Sequence, residues 1–68
     1  MKTLSEVRKE KKITQLEMAE KLGVAVSTYN MYENGERNIP EKVASGISNV
    51  LGIHKSDFFV PITFTLSE

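Results

Sequence analysis

The sequence predicts an all-α fold of five short helices followed by an extended C-terminal tail, on three observations. Two T-x-x-E boxes, Thr3 with Glu6 and Thr14 with Glu17, each open a helix. In such a box the hydroxyl accepts from the N3 amide while the carboxylate reaches back to the cap amide. Glycines 23, 35 and 52 stand where helical segments stop, the place for a left-handed residue. Strand periodicity is confined to the end of the chain, where Val60, Ile62, Phe64 and Leu66 alternate with Pro61, Thr63, Thr65 and Ser67.

Helix one is expected from Thr3 through about Lys11, with Leu4 and Val7 turned to the core. In helix two, Met18, Ala19 and Leu22 fall on one face, leaving Glu17, Glu20 and Lys21 off it. Val24 lies in the following turn, placed to anchor both neighbouring helices. In helix three, Tyr29 and Tyr32 face inward together and leave Val26, Ser27, Asn30 and Met31 on the other side, with Asn34-Gly35 as the stop. Helices two and three are thus joined by a turn of about four residues containing glycine, the signature of a helix-turn-helix. Asn38, Pro40 and Glu41 mark the start of helix four, since proline is tolerated in a first turn. Val43, Ile47, Val50 and Leu51 give that helix its apolar stripe. A short fifth helix is expected from Lys55 to Phe59, packed through Ile53 and Phe58, before Pro61 ends it. The division is a domain at 1–59 and an extended tail at 60–68.

Composition sets limits. Sixty-eight residues make one domain, and a chain of this size buries only about 60% of its unfolded surface, so modest stability is expected. There is no cysteine to staple it or to bind zinc, and the single histidine, His54, cannot hold a metal alone. No apolar run approaches the ~20 residues of a membrane span and no signal-peptide core is evident, so a cytoplasmic location is expected. Nine basic and nine acidic residues cancel, whereas nucleic-acid-binding domains are usually basic. The distribution is uneven, however. Residues 1–14 hold Lys2, Arg8, Lys9, Lys11 and Lys12 against Glu6 and Glu10. A lysine cluster of this kind is by default a solvated face.

The segment Thr14–Gly35, TQLEMAEKLGVAVSTYNMYENG, resembles the Cro and phage-repressor helix-turn-helix family, often called XRE-type. Thr14, Gln15, Met18, Ala19, Gly23, Val24, Tyr29, Glu33, Asn34 and Gly35 all stand where the family run expects them. The resemblance extends from Leu4 to about Phe59, most of the chain, and implies a compact five-helix, lambda-repressor-like DNA-binding domain. It further implies that Arg8 and Glu33 form a structural ion pair, against the bland reading of two unrelated surface charges. Val26, Ser27 and Asn30 match base-facing positions: Asn30 suits adenine, Ser27 several bases, and Val26 a thymine methyl. Met31 is either an apolar base contact or rim packing. Gln15, in the first turn of helix two, is placed to donate to a phosphate. Arg37, Asn38 and Lys12 are the other phosphate candidates.

Three departures from the family pattern stand out. Ala25 replaces the usual serine or threonine N-cap, a loss of about 1 kcal/mol that leaves the third helix open to a frayed first turn. Leu16 and Met31 put apolar surface near the reading face. Val26 replaces a residue often polar, so sequence readout should be sparse.

The resemblance implies a sequence-specific DNA-binding transcriptional regulator, a repressor gripping a palindromic operator as a dimer through the major groove. The two recognition helices would then lie about 34 Å apart. The alternative is an antitoxin or protein-interaction module using the same fold, which the neutral charge and apolar tail favour. No Ser/His/Asp set, paired-carboxylate site or phosphate loop suggests an enzyme, and no cofactor, metal or small-molecule effector is expected. For the tail, pairing with the same tail of a second copy and folding back over the helices both remain open.

Overall fold

In a computed structural model the described residues are 2–54 and 58–59. Their order is β1 (Lys2–Thr3), α1 (Leu4–Glu10), α2 (Gln15–Leu22), α3 (Val26–Asn34), α4 (Glu41–Leu51) and β2 (Phe58–Phe59). Both T-x-x-E boxes close as reciprocal caps. Thr3 Oγ1 accepts from the Glu6 amide at 3.1 Å while the Thr3 amide donates to Glu6 Oε1 at 2.9 Å. Thr14 and Glu17 do the same at 3.0 and 2.8 Å. Each box satisfies two amides that a helix start would otherwise orphan.

All four helices end in one way. The residue after the last turn turns left-handed, and the next amide donates back five residues, in the Schellman manner. Gly23, Gly35 and Gly52 hold that conformation at φ 72°, 76° and 68°. The bonds run from Val24 to Ala19, Glu36 to Met31 and Ile53 to Ser48. At the end of α1 the same conformation falls to Lys12, at φ 60°, with Ile13 N donating to Arg8 O. The apolar residue that follows, Ile13, Val24 or Ile53, is returned onto the core in three of the four cases.

That core is Leu4 and Val7 from α1, Met18 and Ala19 from α2, Tyr29 and Tyr32 from α3, and Ile47 and Leu51 from α4. Each helix contributes two residues, three or four apart in α1, α3 and α4 and adjacent in α2, so no helix is stable without its neighbours. Gly46 faces α2 at close range: a Cβ there would lie 2.8 Å from Leu22 Cδ2, which is why α4 settles so near.

The structure departs from the sequence expectation in two places. The start of α4 is one residue later than a proline in the first turn requires. Pro40 is the N-cap, extended at φ −61°, ψ 152°, and no side chain, Asn38 included, caps the helix. The fifth helix is not found among the described residues. Phe58 and Phe59, its last two expected positions, instead form β2, paired in parallel with β1 in the register Lys2 to Phe58 and Thr3 to Phe59. The physical reason is a backbone edge just before α1: Lys2 and Thr3 are extended, and aromatic residues favour strand backbone over a turn of helix. Phe58 still packs against the core, as a strand residue. Lys55–Asp57 and the tail at 60–68 lie outside the described residues.

Candidate nucleic-acid interface

Arg8 lies one helical turn from Leu4 and so on the core-facing side of α1, and both it and Glu33 of α3 are only 7% exposed. Their side chains meet as a fork. Arg8 Nε donates to Glu33 Oε2 at 2.6 Å and Arg8 Nη2 to Oε1 at 3.3 Å. The remaining guanidinium arm, Nη1, donates at 2.7 Å to the Ile13 carbonyl in the turn after α1. One side chain therefore ties three segments together: α1, the turn leading to α2, and α3.

Electrostatics follow from this geometry. Burial acts to raise the Glu33 carboxyl, but the groups around it, Arg8 first, outweigh burial and hold it below the ordinary carboxylate range. The carboxylate in turn raises Arg8, against desolvation. Tyr29 packs beside the pair with its hydroxyl buried and outside hydrogen-bond geometry. Burial, with the Glu33 charge beside it, pushes that hydroxyl far above its usual range. All of these shifts favour a fixed, charged pair at neutral pH.

Glu33 carries the network outward. Gln15 Nε2, at the first position of α2, donates to Glu33 Oε1 at 2.9 Å. Asn30 Nδ2 donates to Gln15 Oε1 at 3.2 Å, and Asn34 Nδ2 to Asn30 Oδ1 at 3.1 Å. The first turn of α2 is thereby held against the middle of α3. Beyond the network, α3 presents Val26 (43% exposed), Ser27 and Met31 (37%) to solvent, and α2 presents Leu16 (56%).

Two helices held together across a glycine turn, with one face of the second exposed, are a helix-turn-helix. The helix-turn-helix family model matches residues 4–58. An uncharacterized HTH-type transcriptional regulator of Bacillus subtilis (strain 168), YqaE, is 44% identical over 50 residues, covering 74% of this chain and 43% of that protein. The chain belongs to the XRE-type helix-turn-helix family. It spans less than half the length of this curated relative. No solved structure matches the chain.

Within this helix-turn-helix the candidate residues divide into two groups. Gln15 and Asn30 are drawn together with Arg8 and Glu33 into one hydrogen-bonded unit. Lys12, Arg37 and Asn38 are exposed in the turns, and their side chains make no hydrogen bond or ion pair among the described residues. Ala25 is the N-cap of α3 and offers no side-chain bond, as its residue type dictates. Sequence reasoning used Asn34 only as a helix stop and missed it as a network member. Its i, i+4 spacing from Asn30 was the available signal. Among the described residues no group of acidic, histidine or cysteine side chains is arranged to hold a metal, and no helix is long and apolar enough to cross a membrane.

Proposed function

We propose that the chain is a DNA-binding transcriptional regulator, in which α3 enters the major groove and the first turn of α2 sits over the sugar-phosphate backbone. The observation that carries this reading is the exposed face of α3, held against α2 by the buried Arg8–Glu33 pair in a family shared with an HTH-type transcriptional regulator. Val26, Ser27 and Met31 face the base edges, the apolar pair suiting thymine methyl groups and Ser27 either donor or acceptor edges. Asn30 stands among them on the sequence expectation. Gln15, Lys12, Arg37 and Asn38 are the phosphate contacts.

The regulator acts as a dimer on a palindromic operator, as a repressor. Zero net charge supports this, because one copy gains little from counterion release and needs a second for useful affinity. The tail at 60–68 either pairs with its counterpart in a second copy, which makes it the dimer contact, or folds back over its own helices, which leaves the dimer contact elsewhere. Deleting residues 61–68 and measuring mass by light scattering distinguishes these: loss of the dimer supports strand pairing, and an unchanged dimer removes it. Selection of bound sequences from random DNA tests the whole reading. A palindromic consensus with half-sites one helical turn apart is expected. Failure to enrich any sequence would favour the protein-interaction reading.

A further inference from the structure

Glu33 imposes a direction on every amide beyond it. An ionised carboxylate only accepts hydrogen bonds, so Gln15 must present Nε2 to it. That choice turns Gln15 Oε1 toward Asn30, which must then present Nδ2. Asn30 Oδ1 is left facing outward along α3, where Asn34 donates to it one turn on. Each amide orientation is fixed by the one before it, starting from a buried ion pair. Both polar ends of Asn30 are consequently engaged on the protein. The second proton of Gln15 Nε2 has no partner among the described residues.

We infer that Asn30 is a positioning residue, which orients the Gln15 amide so that its remaining N–H donates to a DNA phosphate, and that Asn30 does not read a base. This rests on the proposed DNA-binding function and revises one residue of it. A bidentate contact with adenine needs the donor and acceptor of one asparagine together. Here Gln15 takes one Nδ2 proton and Asn34 one Oδ1 lone pair, so the amide plane is set by protein partners on α2 and α3 rather than turned as a pair to one base edge. The effect of Asn30 on DNA is therefore independent of sequence, because a phosphate carries no sequence information.

The test has one arm without DNA and one with it. In the free protein, the side-chain amide signals of Gln15 are followed by 15N NMR in the wild type, in Asn30→Ala and in Asn30→Asp. Asn30→Ala should move and broaden them as the amide loses its holder. Asn30→Asp accepts from Gln15 instead of donating to it, so it should draw the Gln15 amide away from Glu33 and shift the signals differently from alanine. Unmoved signals in both variants overturn the inference. In the second arm, Asn30→Ala is measured against every single base-pair variant of the selected half-site, on natural DNA and on DNA with single methylphosphonates in place of phosphates. Affinity should fall by about threefold to tenfold on all sequences alike, the worth of one hydrogen bond. That loss should vanish when the methylphosphonate occupies the phosphate contacted by Gln15. A loss confined to one base pair, with discrimination relaxed there, makes Asn30 a base reader and overturns the proposal. If the wild type selects no sequence, the DNA-binding reading falls and the phosphate role with it, while the amide signals still decide whether Asn30 orients Gln15.

Discussion

Two side chains do work out of proportion to their size. Arg8 and Glu33 are buried charges whose desolvation is offset chiefly by each other, with the Ile13 carbonyl and Gln15 amide beside them. Arg8→Met alone should cost about 3–5 kcal/mol, because Glu33 is left buried and unpaired. Replacing both, as Arg8→Met with Glu33→Leu, should recover most of that loss, and urea unfolding of the two variants checks it. Acid acts on the same bond. Since the folded Glu33 carboxyl lies below its ordinary value near 4.5, its contribution is fully present above that pH and is lost as pH falls through the folded value. Urea midpoints should be flat above about pH 5.5 and drop toward pH 3, and the double variant should drop less. Lys12 is the opposite case, a residue in the wrong conformation for its type at φ 60°. Lys12→Gly should stabilise the fold by about 0.5–1 kcal/mol, read from the same unfolding curves, because the left-handed penalty disappears. No residue type marks this strain: three helix ends announce themselves by glycine, and the fourth uses the same geometry without it.

At the level of elements, the helix starts differ in kind. The boxes before α1 and α2 are complete, whereas α3 and α4 begin with no side-chain cap. For α3 the remedy is local. Ala25→Ser should place a hydroxyl within reach of the Thr28 amide and raise stability by about 1 kcal/mol, with thermal unfolding as the measurement. An unchanged midpoint would mean that tertiary packing of Tyr29 and Tyr32 already holds the first turn. The four helices were legible because each carries an apolar stripe together with a capping box, a glycine stop or both within a dozen residues. The terminal strand was not, since Phe58 and Phe59 read equally well as the apolar side of a short helix. What decided between the two is Lys2–Thr3, more than fifty positions away, offering an unpaired extended backbone. Local periodicity carries no information about such a partner.

For the whole molecule, charge is the distinctive feature. If the chain binds DNA as proposed, the lack of net charge makes that binding depend on a few placed cations rather than on a general field. If Lys12 and Arg37 are the charged phosphate contacts, a dimer neutralises about four phosphates, and log K should fall against log salt with a slope of about −3.6. Lys12→Gly should reduce that slope by about 0.9 per subunit, so one variant separates the fold's gain from the interface's loss. A slope near −8 would require cations beyond these two.

The sequence by itself determined the four helices, their apolar faces and three of their four stops, because caps, periodicity and glycines act within one or two turns of the chain. It also carried the family, through coupled positions from Thr14 to Gly35. Only the tertiary structure decided what lies between elements: the parallel pair of Lys2–Thr3 with Phe58–Phe59, the left-handed Lys12, and the run of amides from Glu33 through Gln15 and Asn30 to Asn34. Hydrogen bonds between side chains on different helices depend on angles and distances set by the packed core. A linear pattern does not encode them, and the direction of that amide run is fixed by a single buried carboxylate.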